Sequence, residues 1–202
     1  TLAIDVSTFT CSDIGANNVI LTVTDANSNT STATAVVTVA DIASPTAIAQ
    51  NITVNLDALG NVTIVAADVN NGSSDNCGPV TLAIDVSTFT CSDIGANNVI
   101  LTVTDANSNT STATAVVTVA DIISPAAIAQ NITVNLDASG NATIVAADVN
   151  NGSSDNCGPV TLAIDVSTFT CSDIGANNVI LTVTDANSNT STATAVVTVA
   201  DI

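Results

Sequence analysis

The 202-residue chain has no lysine, arginine or histidine, and all 18 of its acidic residues are aspartate, so its formal net charge is −18. A surface of this sign repels nucleic acids and anionic membranes, and no salt bridge between side chains can form within the chain. Glutamate, tyrosine, tryptophan and methionine are absent too. Because catalysis usually needs histidine, lysine or glutamate as an acid, a base or an activator of a nucleophile, we expect a protein that is not an enzyme.

Long apolar runs are also missing. No run approaches the roughly 20 residues that span a bilayer, so we expect no membrane insertion in this segment. The apolar fraction of 47% nevertheless argues against disorder. Few charges combined with abundant asparagine, threonine, serine, alanine and valine indicate a β protein outside the cell or on its surface.

The chain does have a sequence repeat with a period of 80 residues. Residues 1–42, 81–122 and 161–202 are identical, and residues 43–80 differ from residues 123–160 at only four positions. Such a period is too long for a solenoid unit and suits a small independent β domain. We therefore predict the C-terminal half of one repeat at 1–42 and complete repeats at 43–122 and 123–202. The start within a repeat, without a methionine, indicates a fragment of a longer array.

Alternation of side chains predicts the strands. In NNVILTVTDANSNTSTATAVVTVAD, which covers residues 97–121, apolar residues alternate with threonines on both sides of a short polar loop. This pattern is typical of half-buried strands joined by a hairpin. An earlier strand is predicted at 48–56, a second has Val62, Ile64 and Ala66 on its inward face, and further strands follow near 80–86 and 88–90. With about seven strands and no helical pattern, each complete repeat should be all-β, built from two antiparallel sheets packed face to face.

The five cysteines permit two pairings. Each complete repeat has two cysteines and the half repeat has one. Pairing within repeats would join Cys77 to Cys91 and Cys157 to Cys171, leaving Cys11 alone. Pairing between repeats would instead join Cys11 to Cys77 and Cys91 to Cys157. We favour the first arrangement, and either one implies an oxidising compartment.

The polar loops predict a calcium site at each junction between repeats. Asp105, Asn107 and Asn109 present side-chain oxygens at alternate positions, and Ca²⁺ prefers hard oxygen ligands. The loop is not an EF-hand, since threonine and valine replace the required glycine and glutamate. Strand directions would bring this loop close to the polar loop after the second strand and to the end of the preceding repeat. The predicted ligands are Asp41, Asp75, Asn76, Asp105, Asn107 and Asn109, and in the next repeat Asp121, Asp155, Asn156, Asp185, Asn187 and Asn189. The alternative is that these residues only form a good hairpin turn.

The segment SSDNCGPVTLAIDVSTFTCSDIGANNVILTVTDANSNTSTATAVVTVAD resembles the hyalin-repeat (HYR-like) immunoglobulin-like domains, especially those repeated in very large surface proteins of gliding bacteria. DNCG, FTCSDIG and TVTDANSN are the most specific blocks. The resemblance implies tandem immunoglobulin-like β-sandwich domains with no enzymatic role. Relatives often have a further cysteine pair where Ala49 and Ala113 stand, which favours Cys77–Cys91 as the surviving bond. They commonly have glycine at the position of Ser108.

Three functions are compatible with this pattern. The first is a structural repeat of an extracellular filament or adhesin stalk, which extends and positions a distal binding region and has neighbouring repeats as its partners. The second is a calcium-dependent module that binds a glycan or a surface. The third is a subunit of a fibre that polymerises end to end with identical chains. Near-identical units suit a spacer, and aromatic residues, which glycan binding often uses, make up only 1% of the chain.

Overall fold

The computed structural model describes residues 1–201, which form fifteen β-strands and two one-turn α-helices. The half repeat contains three antiparallel strands, in the order in which they occur along the chain. They are β1 (Leu2–Ile4), β2 (Gly15–Thr24) and β3 (Thr30–Val39). The prediction of an all-β fold is confirmed.

Each complete repeat contains one 3-10 turn, at Cys91–Asp93 and at Cys171–Asp173, together with six strands and one α-helical turn. In the first they are β4 (Ile52–Asn55), β5 (Asn61–Thr63), α1 (Ala66–Val69), β6 (Thr81–Ile84), β7 (Thr88–Thr90), β8 (Gly95–Thr104) and β9 (Thr110–Ala120). In the second they are β10 (Ile132–Asn135), β11 (Asn141–Thr143), α2 (Ala146–Val149), β12 (Thr161–Ile164), β13 (Thr168–Thr170), β14 (Gly175–Thr184) and β15 (Thr190–Ala200). The start of the predicted first strand forms only isolated bridges, such as Ala129 with Asn150.

The second complete repeat shows the sheet topology. Its larger sheet has the strand order β10-β15-β14-β12, and its smaller sheet pairs β11 with β13. All these pairs are antiparallel except β10 with β15, which is parallel. The expectation of purely antiparallel sheets is therefore wrong for this pair, because side-chain alternation reports which face is buried and not which way a strand runs. The first complete repeat has the same strand order, and this sandwich of two sheets is immunoglobulin-like.

The core lies between the two sheets. In the second complete repeat, alternate side chains of β14 and β15 are fully buried, as their sequence pattern predicts. Phe169 on β13 closes the core from the smaller sheet and is 1% exposed. The buried residues of the two long strands are Val179, Leu181, Val183, Ala195, Val197 and Val199.

A helical turn replaces the end of the predicted second strand. Ala66, expected on the inward face of that strand, begins α1 instead. The carboxylate of Asp68 accepts a hydrogen bond from the Val65 N–H at 2.7 Å, which satisfies one of the free donors at the start of a helix. The turn places Val69 in the core with no exposed surface. The sequence pattern missed this turn because one helical turn is too short to show a helical period.

Contact density divides the chain into two compact units. The first comprises Thr1–Ile52, Ile64–Ser87 and Asn98–Val117, and the second comprises Thr53–Thr63, Thr88–Asn97 and the described residues from Thr118 onward. The first unit combines the half repeat with one part of the first complete repeat, and the second unit combines the rest of that repeat with the second complete repeat. The repeat boundaries at 42/43 and 122/123 remain predictions from the sequence.

Candidate functional site

Three aspartates in the first unit each close a turn of the same kind. Oδ1 of Asp41 accepts a hydrogen bond from the N–H of Ala43 at 3.0 Å. Oδ2 of Asp75 accepts one from Cys77 at 2.8 Å, and Oδ1 of Asp105 accepts one from Asn107 at 2.8 Å. In each case the carboxylate bonds the backbone two residues on, so the local sequence fixes the orientation of all three side chains.

These three turns bring their carboxylates together. One carboxylate oxygen from each of Asp41, Asp75 and Asp105 lies within 4.8 Å of the other two. They come from the end of the preceding repeat, from the loop before β6 and from the β8–β9 hairpin. The second unit contains the same arrangement, formed by Asp121, Asp155 and Asp185. Strand direction therefore predicted correctly which aspartates would meet.

Several carboxylate oxygens of these clusters are buried and have no hydrogen-bond partner among the described residues. Asp105 and Asp185 are each 7% exposed, and Asp121 is 6% exposed. Four buried carboxylate oxygens have no hydrogen-bond partner among the described residues: Asp41 Oδ2, Asp75 Oδ1, Asp121 Oδ2 and Asp155 Oδ1. A buried polar atom without a partner is costly, and native structures contain few of them.

Charge repulsion adds to this cost. Two ionised carboxylates whose oxygens lie within 4.8 Å of each other repel one another. Each cluster contains three such pairs, and the chain has no lysine, arginine or histidine to offset them.

Protonation of Asp105 does not relieve the repulsion at neutral pH. Burial raises the pKa of this carboxyl, but hydrogen bonds from the Asn109 side chain and from the backbone of Asn109, Asn107 and Ser108 outweigh burial and hold the pKa below its usual value. Asp25 occupies the same position in the half repeat, where it is exposed, and bonds to Asn29 lower its pKa as well. Hydrogen bonds within the hairpin loop thus lower the pKa of both Asp25 and Asp105, and Asp105 is the more buried of the two.

Two of the predicted asparagine ligands act as donors within the clusters. Nδ2 of Asn109 donates to Oδ2 of Asp105 at 2.8 Å and to the backbone oxygen of Asp41 at 3.2 Å, which ties the hairpin to the preceding repeat. Asn189 makes the same two contacts in the second unit, with Asp185 and Asp121. The side chains of the remaining predicted asparagines make no hydrogen bond to the carboxylates of the clusters. Asn76, Asn107 and Asn187 are exposed, and Asn156 donates to the backbone oxygen of Asp57 at 3.2 Å. Calcium binding itself remains a prediction.

The disulfides join successive repeats. Cys11 is bonded to Cys77 and Cys91 to Cys157, each pair 66 residues apart, while Cys171 is free and exposed. The favoured pairing within repeats, which would join Cys77 to Cys91 and Cys157 to Cys171, is therefore wrong.

Strand length gives the physical reason. Cys157 lies two residues from Asp155, beside the hairpin that follows β14, whereas Cys171 lies just before β14 begins. The ten residues of β14 span about 33 Å, and a disulfide needs Cα atoms within about 7 Å. The argument from strand direction that located the aspartates could have found the disulfides had it been applied to the cysteines.

No protein family matches the chain, and no curated protein does. Solved structures with a similar fold include PcdhgB3 EC1-4 (TM-score 0.42, 12% identity, 97% of this chain covered), a three-domain immunoglobulin structure of titin (0.46, 9%, 95%) and human protocadherin-24 EC1-2 (0.43, 12%, 79%). The matches cover 60%, 76% and 99% of those chains, respectively. At this level of similarity they carry no argument about function. No helix among the described residues is long and apolar enough to cross a membrane.

Proposed function

We propose that the chain is a structural segment of an extracellular filament or adhesin stalk, whose repeats are joined by disulfides and by a calcium ion at each junction. The observation that carries this proposal is the coincidence, at both junctions, of an inter-repeat disulfide with three converging carboxylates. The disulfides support an oxidising location outside the cell. Such a segment would extend and position a distal binding region.

The chemistry of the donors supports a hard divalent cation. The converging side-chain donors are carboxylate oxygens, the chain has no histidine, and the cysteine sulfurs nearest the clusters are in disulfides. Calcium takes six to eight oxygen ligands in a flexible geometry, so three carboxylates would leave the remaining positions for carbonyl oxygens and water. A divalent ion would give the unpartnered oxygens of Asp41 and Asp75 a partner and offset two of the three negative charges.

A spacer accounts for the chain better than a glycan-binding module does. Sugars commonly stack on exposed aromatic rings, yet Phe89 is 2% exposed and Phe169 is 1% exposed. Phe9, the third aromatic residue, is partly buried. Units that are nearly identical also allow the length of an array to change without altering its junctions.

Thermal unfolding of the full, non-reduced chain in millimolar Ca²⁺ and in EDTA tests the proposal. An ion that binds only the folded state raises the free energy of unfolding by RT ln(1 + [L]/Kd), about 2.7 kcal/mol at a hundredfold excess over Kd. We expect Tm to rise by several degrees or more in Ca²⁺. The variant Asp25→Asn changes the same loop outside a cluster and should keep the full rise. Equal Tm values in Ca²⁺ and EDTA would overturn the calcium part of the proposal.

A further inference from the structure

One groove in the second unit already holds a loop of the following repeat. The turn Asp57–Gly60 forms its floor, and Cys91 lies at its edge, with Sγ 3.7 Å from the backbone oxygen of Gly60. Asn156 donates from Nδ2 to the backbone oxygen of Asp57 at 3.2 Å, and Cys157 is bonded to Cys91 with a Cα separation of 5.2 Å. The backbone oxygen of Asn156 and the sulfur of Cys157 each lie 3.4 Å from the point that a Cβ on Gly60 would occupy. A Cβ on Gly60 would clash with the sulfur of Cys91, so glycine at this position leaves room for the disulfide that holds the Asp-Asn-Cys loop.

The same groove recurs 80 residues further along. There it is a cavity of about 550 Å³, lined by Leu136, Asp137, Ala138, Ser139, Gly140, Cys171 and Asp201. The two turns have the same backbone conformation, with φ of +74° at Gly60 and +76° at Gly140. Within the turn, the only sequence difference is Leu59 against Ser139. Leu59 is 82% exposed and so adds little to the occupied groove.

Residues near the docked loop are more buried than their counterparts at the second groove. Asp121 is 6% exposed and Cys91 is partly buried, while their counterparts Asp201 and Cys171 are exposed. A Cβ on Gly140 would meet only the sulfur of Cys171 within 4 Å, since no loop lies over that turn. The second groove thus has the shape and the chemical groups of the first without its occupant.

We infer that the groove formed by the turn at 137–140, with Cys171 and Asp201, binds the Asp-Asn-Cys loop of a further repeat of this sequence and bonds to it through Cys171. The backbone oxygen of Asp137 accepts from the asparagine amide of that loop, as Asp57 does from Asn156. This inference rests on the occupied groove and not on calcium at the junctions, so the two proposals can fail separately.

A peptide with the sequence of residues 151–160, NGSSDNCGPV, is the probe. Its cysteine is supplied as a mixed disulfide with 5-thio-2-nitrobenzoate. The Cys171 thiol loses its proton to solvent, and the thiolate attacks the peptide sulfur. A new disulfide forms, the bond to the aryl sulfur breaks, and thionitrobenzoate leaves with the electron pair. The activated peptide supplies the disulfide, so no further oxidant is needed.

With the full chain, we expect release of thionitrobenzoate at a rate that saturates with peptide concentration. The rate should exceed that of the control peptide NGSSAACGPV by about tenfold or more, because docking places the two sulfurs together. Cys171→Ser should abolish the release. A rate that is linear in concentration and equal for both peptides would show that Cys171 is only an exposed thiol and would overturn the inference.

A substitution in the groove and a matched control outside it distinguish docking of the peptide from the general reactivity of the Cys171 thiol. Ala138 is the counterpart of Ala58, which lines a cavity together with Asp155 and Asn156 of the docked loop. Ala138→Phe should fill the groove and remove the preference for the native peptide. Ala147→Phe is the matched control, since Ala147 is exposed on α2 and does not line the groove, and it should keep the preference. Retention of the preference in Ala138→Phe would also contradict the inference.

Discussion

Cys91 is bonded to Cys157, which lies 66 residues further along the chain in the next repeat, and not to Cys77 of its own repeat. Two residues before Cys157, the Asp155 carboxylate meets Asp121 and Asp185. One short loop therefore supplies both the covalent link and one of the converging carboxylates. Cys77 and Asp75 have the same relation in the first unit.

Thiol counts of cysteine variants distinguish the two pairings. Peptide mapping of the native chain cannot, because the repeats would yield identical linked peptides, and both pairings leave one free thiol. Under the observed pairing, Cys171→Ser should have no free thiol and Cys11→Ser should have two, since Cys77 loses its partner. Titration of the denatured, non-reduced protein with a thiol reagent measures these counts. Two thiols in Cys171→Ser and none in Cys11→Ser would establish pairing within repeats instead.

Replacing one aspartate of each cluster by asparagine should raise the stability of the protein without calcium and remove the stabilisation that calcium provides. In Asp75→Asn/Asp155→Asn, the amide oxygen can take the place of Oδ2 and accept the N–H bond from the backbone of residue 77 or 157, and the new amide nitrogen can donate to the neighbouring carboxylates. In EDTA, we expect the free energy of unfolding to rise by about 1–2 kcal/mol as repulsion falls. In millimolar Ca²⁺, the calcium-dependent increase in Tm should largely disappear.

The control for that double variant is Asp25→Asn, which removes one charge outside both clusters. It should not raise the stability in EDTA and should leave the calcium effect intact. Chemical denaturation under both conditions supplies the free energies. A double variant less stable than wild type in EDTA would show that repulsion among these carboxylates is not significant.

Replacing the serine of the β14–β15 hairpin by glycine should stabilise the fold. Ser188 has φ of +73°, in the left-handed region, where a side chain costs about 1–2 kcal/mol. Glycine removes that strain but loses about 0.5–1 kcal/mol through its greater freedom in the unfolded chain. Ser188→Gly should therefore gain roughly 0.5–1 kcal/mol in a denaturation experiment. Ser188→Ala keeps the strain and should show no gain, so an equal gain in both variants would contradict this explanation.

Calcium stabilisation should persist well into the acidic range. Asp105 has a folded-state pKa below its usual value, so its hydrogen bonds contribute stability above the unfolded pKa of about 4 and lose it as the pH falls through the folded value. Calcium also needs its ligands deprotonated. The Tm difference between Ca²⁺ and EDTA should thus be similar at pH 7 and pH 5 and shrink below about pH 4. Its loss between pH 7 and pH 5.5 would contradict this assignment.

The sequence allowed prediction of those features that depend on side-chain alternation. Val179, Leu181 and Val183 are buried as their period of two requires. The same pattern could not show that β10 runs parallel to β15, because alternation is independent of direction. It also missed α1, whose single turn depends on the hydrogen bond from Val65 to Asp68.

At the junctions, strand direction predicts which aspartates meet, and it also excludes a disulfide between Cys157 and Cys171, which lie at opposite ends of β14. Loops at one end of the strands must meet, which identified Asp41, Asp75 and Asp105. The roles of the asparagines depended on which atoms they turn toward the cluster. Asn109 directs its amide nitrogen, a donor, toward Asp105. The sequence does not indicate which of the two amide atoms faces the carboxylate, and only the structure shows it.

The number of calcium ions bound by the full, oxidised chain is the most direct test of the central claim. Isothermal titration at neutral pH should give two ions per chain for wild type and for Asp25→Asn, since the described residues form two clusters. Asp105→Asn should bind one ion, and Asp105→Asn/Asp185→Asn should bind none. No heat of binding at millimolar Ca²⁺, or an unchanged stoichiometry in the double variant, would contradict the assignment of the junction carboxylates as calcium sites.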